Sequence, residues 1–219
     1  ADAGVPPVGE LRYPYEMHLE ATNLPPLGTA PRAVTVEAWL ALPEEARAEI
    51  IGGRLVYQGM PGPRHGRAQL AAGSRLRDPY DRRPGGADKP GGWWISMEVD
   101  LEISGLGCRP DLLGWRRDKH PVMPAPDRRG VVTAAPDWIC EVLSTNRADE
   151  LVRKKRLYHQ CKIPHYWILD PRDELLTVHR WSPDGYIEVL AAARGERVRA
   201  EPFEAIEMVV GVFFGDDEE

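Results

Sequence analysis

The sequence predicts an α/β domain, and three observations carry that prediction. From Trp93 onward, short apolar runs of strand character are separated by turn-forming residues. One charged, periodic segment without Gly or Pro, from about Ala148 to Lys162, interrupts them and reads as a helix. The resulting order is helix, three strands, helix, strand, which is the alternation of an α/β fold rather than of a sandwich or a bundle.

The elements follow in chain order. Residues 1–33 hold six prolines and little periodicity, so an extended N-terminal arm is expected there, with the domain spanning 34–215 and an acidic tail at 216–219. Thr35 can cap a short helix running through Trp39 and Leu42, and Pro43 can open a further turn. Glu49 to Tyr57 reads as a hairpin turning on Gly52-Gly53, and a helix from about His65 to Arg77 follows. Gly, Pro and charge between Asp78 and Gly92 indicate a long loop. Trp93–Ile103, Asp111–Trp115, Trp138–Leu143 and His165–Leu169 are the expected strands, and Leu175–Trp181 with Tyr186–Leu190 forms a hairpin across Ser182-Pro183-Asp184-Gly185.

Two acids stand out within this frame. Asp111 lies in Arg109-Pro110-Asp111-Leu112-Leu113 and Glu141 in Cys140-Glu141-Val142-Leu143-Ser144, each in a short apolar run beside a turn-forming residue. Carboxylates at such strand ends repel one another where they converge, unless a divalent cation or a lysine neutralises them. On the helix after Glu141, with Ser144-Thr145-Asn146 offering caps, Leu151, Leu157, Tyr158 and Cys161 share one arc at about 100° per residue, and Lys154 falls inside it. Lys154 therefore faces the sheet, Lys155 sits at the margin as the fallback, and Arg153 and Arg156 point away. Structural readings compete: acids satisfied by backbone donors or by Arg109, and a lysine whose stem snorkels to water.

Pro110-Asp111, Glu141-Val142-Leu143-Ser144, Lys154 with Tyr158 four residues on, and Ile163-Pro164-His165-Tyr166-Trp167-Ile168-Leu169-Asp170-Pro171 resemble the Uma family of proposed restriction endonucleases, within the PD-(D/E)XK nuclease superfamily. The resemblance runs from about Val34 through the strands after Pro171. It implies a restriction-endonuclease-like core, a central mixed β-sheet flanked by helices, with acids from the second and third strands. Leu143 stands where the superfamily usually has its lysine, and the resemblance passes that role to Lys154. It also aligns Ala48-Glu49-Ile50-Ile51-Gly52-Gly53 with the family's glutamate-led hairpin, Gly52 replacing a common aspartate. The implied site is Asp111, Glu141, Lys154 and Glu49 as catalytic residues, Asp111 and Glu141 as ligands of Mg²⁺ or Mn²⁺, and Arg64, His65 and Arg67 as substrate contacts. The implied partner is nucleic acid, with DNA expected, and a homodimer is compatible with it.

Composition narrows the classes. No apolar run approaches the ~20 residues of a spanning helix, and a cytoplasmic protein without a membrane partner is expected. Cys108, Cys140 and Cys161 lack CxxC spacing, which disfavours a disulfide framework or a zinc site. A net charge of −6 is unlike a nucleic-acid-coating protein, yet Arg64–Lys89 and Arg147–Lys162 are locally basic. No P-loop is present, which disfavours a nucleoside triphosphatase. Two alternatives stay open: a catalytically silent nucleic-acid or protein-binding module of the same fold, and a metal-dependent hydrolase of a small phosphorylated substrate.

Overall fold

The computed structural model describes residues 33–43, 46–86, 88–144 and 150–217. By its contacts the chain divides into Ala1–Arg32 and Ala33–Glu219, and the second unit is the one described. The expected N-terminal arm, the caps Thr145 and Asn146, and the last two acidic residues lie outside the described residues.

The short helix α1 (Val36–Leu40) begins where Thr35 Oγ1 accepts from the Ala38 N–H at 3.2 Å. Strands β1 (Ala48–Ile51) and β2 (Arg54–Tyr57) then pair through a two-residue turn. Gly52 and Gly53 adopt φ of 60° and 75°, the left-handed pair that this tight hairpin requires. Trp39, Val36, Ala48, Ile50 and Val131 form a small separate core.

Helix α2 (Pro63–Tyr80) is longer than the sequence predicts. Pro63 fits the first turn, where its missing N–H is not needed, and Pro79 is tolerated in the last turn. Ala68, Ala72, Leu76 and Tyr80, four residues apart, give it one buried stripe.

The main sheet has the order β10-β9-β8-β7-β6-β3. It comprises β3 (Trp93–Met97), β6 (Leu112–Arg116), β7 (Trp138–Val142), β8 (His165–Asp170), β9 (Leu175–Ser182) and β10 (Gly185–Ala193). Only β7 and β8 run parallel among these neighbours, so the sheet is mixed, as expected. A parallel pair needs a crossover. Here it contains a π-helical turn, Glu150–Lys154, continuing into α3 (Lys155–Gln160).

The predicted strand Trp93–Ile103 is two strands. Glu98 takes φ 50° and its N–H donates to the Pro110 carbonyl, so the chain leaves the sheet after Met97. Leu101–Ile103 (β4) instead pairs with Leu106–Cys108 (β5), across Ser104-Gly105 in a left-handed turn. Gly107 is required: a Cβ there would fall 2.5 Å from the Trp39 ring. The C-terminal segment forms β11 (Arg197–Val198), β12 (Met208–Val209) and a 3-10 turn, Val210–Phe214, none of which the sequence pattern announced.

Strand alternation divides the buried residues between the two sheet faces. Leu112, Trp138, Cys140, Val142, Trp167 and Leu169 join α2 and the C-terminal segment on one face. Leu113, Trp115, Ile139, Tyr166 and Ile168 join Leu157 and Tyr158 of α3 on the other. No helix among the described residues is long and apolar enough to cross a membrane.

Candidate active site

Register brings the two acids together. β6 and β7 pair antiparallel as Leu112↔Cys140 and Leu113↔Ile139, so Asp111, one residue before β6, stands opposite Glu141. Residues opposed in this way have Cα atoms about 4.5–5.5 Å apart and side chains on one face. Asp111 is further pinned by the Val142 N–H, which donates to its Oδ2 at 2.7 Å. His65, on the first turn of α2, places Nε2 3.3 Å from the same oxygen.

Glu141 is 3% exposed and meets two donors from one helical turn. Lys154 Nζ donates to its Oε2 at 3.0 Å and the Tyr158 hydroxyl to its Oε1 at 2.5 Å. The i, i+4 spacing of these residues stacks both donors on the inward face. Lys154 itself is 3% exposed, whereas Lys155 is only partly buried. The inward orientation of Lys154 thus follows the apolar arc, although the segment before it winds as a π-turn rather than the regular helix the sequence predicts. π-turns recur at functional sites.

Glu49, also buried, completes the cluster from β1. Its Oε2 lies 3.1 Å from Lys154 Nζ and accepts from Gln58 Nε2, while its Oε1 accepts from the Arg109 N–H at 2.8 Å. The Arg109 guanidinium does not serve the acids in the way the structural reading of the sequence supposed. It grips Asp100 through two bonds of 2.7 and 2.8 Å.

Three carboxylates thus surround one ammonium. Burial alone would depress the Lys154 pKa, but Glu141, Glu49 and Asp111 together hold it well above its ordinary value. Burial pushes Glu141 well up, with Asp111 and Glu49 adding to the rise, and Lys154 offsets only part of it. Asp111 moves the other way: burial opposes ionisation, but His65, Lys154 and the Val142 N–H outweigh it and lower its pKa. These directions agree on one point: the cluster is short of positive charge, and Glu141 bears the deficit.

A cleft of about 370 Å³ lies over this cluster, lined by Asp111, Glu49, Glu98, Asp100, Arg47 and Arg129 among others. Glu141 and Lys154 are not in its lining. Among the described residues no three His, Cys, Asp or Glu side chains form a ready metal cage. Both oxygens of Glu49 are engaged by Lys154, Gln58 and Arg109, and both oxygens of Glu141 by Lys154 and Tyr158, so a ligand role for either acid requires displacing one of these donors. Asp111 with Glu141 remains a hard-oxygen pair in a charge-poor pocket. That donor set fits Mg²⁺ or Mn²⁺, which bind through one or two carboxylates and keep several waters.

The three α2 candidates separate. His65 reaches Asp111, whereas Arg67, about 200° around the helix, donates to the Gly215 carbonyl at 3.4 Å, and Arg64 is exposed. Sequence reasoning missed Gln69, one turn beyond His65, whose amide bonds the Asp111 carbonyl and Glu98 at 3.1 Å each. Its spacing from His65 was the available signal. All three cysteines are free thiols, two of them buried.

The fold is thus a mixed sheet flanked by helices, with acids from two adjoining strands set beside a lysine from the crossover between the parallel pair. The same fold is found in a crystal structure described as that of "a putative nuclease belonging to DUF820 from Anabaena variabilis ATCC 29413". It superposes with a TM-score of 0.62 at 20% sequence identity, covering 83% of this chain and 97% of that one. The sequence profile of the Uma2 family, described as "Putative restriction endonuclease", matches residues 35–211, and the chain belongs to that family. No match was found among the curated proteins.

Proposed function

We propose that the protein is a divalent-cation-dependent endonuclease that hydrolyses nucleic-acid phosphodiester bonds, DNA being the expected substrate. The observation that carries this reading is the buried set of Asp111, Glu141 and Glu49 around Lys154, short of positive charge, with Asp111 and Glu49 lining a cleft. Asp111 and Glu141 would hold Mg²⁺ or Mn²⁺. When bound, such an ion supplies Lewis acidity toward the phosphate and its attacking water.

The chain's own residues divide the remaining work. Asp111, whose ionised form is favoured by His65, Lys154 and the Val142 N–H, is a weak base and is available as an anionic ligand. The surrounding carboxylates of Glu141, Glu49 and Asp111 favour the protonated form of Lys154, which suits it to donate rather than to accept a proton. Lys154 orients water or stabilises charge on the phosphate by donating hydrogen bonds. Tyr158 fixes the rotamer of the Glu141 carboxylate, and Glu49 fixes that of the Lys154 ammonium.

The test is incubation of the protein with plasmid, single-stranded DNA and RNA across Mg²⁺ and Mn²⁺ concentrations, beside Asp111→Ala. Cation-dependent cleavage lost in Asp111→Ala is expected. Absence of cleavage of all three substrates, with no Mg²⁺- or Mn²⁺-dependent change in stability, would leave the silent module as the better account.

A further inference from the structure

The cleft is lined by three arginines, and two are already committed. Arg109 grips Asp100, and Arg129 donates to Asp127 at 2.7 Å and forms an ion pair with Glu102 at 2.5 Å. Arg47 differs. Among the described residues it has no carboxylate partner, and its Nε is buried from solvent without a hydrogen-bond partner. Only that Nε is enclosed: the residue as a whole is half-buried in the cleft lining, so an acceptor arriving from outside would meet its terminal guanidinium nitrogens, which carry no ion pair among the described residues.

The backbone holds it there. Arg47 has φ 41°, a left-handed conformation that an arginine does not adopt for any local benefit, and its carbonyl accepts from the Gln58 N–H at 2.8 Å. That bond extends the β1–β2 hairpin by one step. Arg47 is thereby set two residues before Glu49, on the same rim of the cleft as the carboxylates. Since Asp100 is neutralised by Arg109, a polyanion entering the cleft would meet Arg47 beside the carboxylate cluster.

We propose that Arg47 is the residue that grips a phosphodiester of a nucleic-acid strand lying across Asp111, through charge-assisted hydrogen bonds to its non-bridging oxygens. The identity of the strand rests on the nuclease reading above; the vacant donor does not.

The test is fluorescence anisotropy with a labelled duplex and a labelled single strand, over a salt series in calcium buffer. Wild type, Arg47→Ala, Arg47→Lys and the exposed hairpin control Arg54→Ala are compared, each first checked for unchanged Tm. Arg47→Ala is expected to weaken binding about tenfold or more, and to flatten the slope of log affinity against log salt by ~0.7–0.9, the contribution of one phosphate contact. Arg47→Lys should keep the slope and lose part of the affinity, and Arg54→Ala should change neither. Unchanged affinity and slope in Arg47→Ala, an equal fall in Arg54→Ala, or no binding by wild type would each overturn the proposal. Cleavage of the same probes in Mg²⁺ separates the two readings. Binding that depends on Arg47 in a protein that does not cut keeps this inference and removes the nuclease, whereas cleavage with Arg47→Ala binding as wild type does the reverse.

Discussion

Both faces of the central sheet bury aromatic side chains but use them differently. On the α2 face, Phe203 sits amid Tyr80, Trp93, Trp138 and Trp167, with ring centroids 4.7, 5.0, 5.1 and 5.5 Å away. Apart from the Tyr80 hydroxyl, which donates to the Phe203 carbonyl, and Trp167 Nε1, which donates to that of Glu201, this packing is apolar. On the α3 face, Tyr158 and Tyr166 pack at 5.3 Å beside Glu141, Lys154 and Glu49. Neighbouring residues of one strand, Cys140 and Glu141, face these two environments. The difference shows where stability and chemistry are separated: one face is packed mainly with apolar and aromatic side chains, and the other encloses charges whose mutual compensation is incomplete.

Cross-comparison of one substitution per face breaks the contrast most sharply. Phe203→Ala removes the hub ring of the α2 face and should cost about 3–5 kcal/mol, read as a lower denaturation midpoint, while activity per folded molecule is retained. Lys154→Ala should also destabilise, by about 3–5 kcal/mol through three uncompensated buried carboxylates. It should in addition lower cleavage on the order of 10²-fold or more. Equal losses of activity per folded molecule in the two variants would show that the faces do not divide the work.

Asp111→Asn should act on metal rather than on folding. The amide still accepts from the Val142 N–H, so calorimetry is expected to find Mg²⁺ and Mn²⁺ binding lost at millimolar concentration, with Tm within a few degrees of wild type. Binding unchanged by this substitution would remove Asp111 as a ligand.

Acid sensitivity should come from histidines outside the site. Burial holds the pKa of both His165 and His179 down to about 4. The unfolded chain therefore binds protons that the folded chain refuses. The stability that these rings contribute is present above about pH 6.5 and is lost as pH falls through about 4. The slope is at most about 1.4 kcal/mol per pH unit for each ring, and less for the partly solvated His165. His179→Phe should flatten the acid limb of Tm between pH 6.5 and 4, and an unaltered limb would reassign it. The smallest effect is expected from Lys155→Ala, with kcat within a few-fold of wild type, because that side chain lies outside the carboxylate cluster. If Lys155→Ala abolished cleavage and Lys154→Ala did not, the lysine role would pass to Lys155.

Local chemistry made much of this legible in advance. Gly52-Gly53 admits few conformations other than a tight hairpin, and the arc containing Leu157, Tyr158 and Cys161 already turned Lys154 inward. Less legible was the break at Glu98, where the run Trp93–Ile103 alternates as one strand but its backbone donors are claimed by Pro110 and by β5. Ser104-Gly105 was the unread turn signal. Arg67, adjacent in sequence to the site, proved to face Gly215, since helix periodicity carries near neighbours to opposite sides.

The sequence by itself determined the α/β alternation, the two strand-end acids and the inward lysine, because periodicity and turn chemistry act over a few residues and are written locally. Only the tertiary structure decided that Asp111 stands opposite Glu141, that Lys154 is shared with Glu49 from a distant hairpin, and that Arg109 is committed to Asp100 while Arg47 is not. Those outcomes depend on strand register and on competition among buried charges for few partners. Both are settled by distances between segments far apart in the chain, which no local pattern encodes.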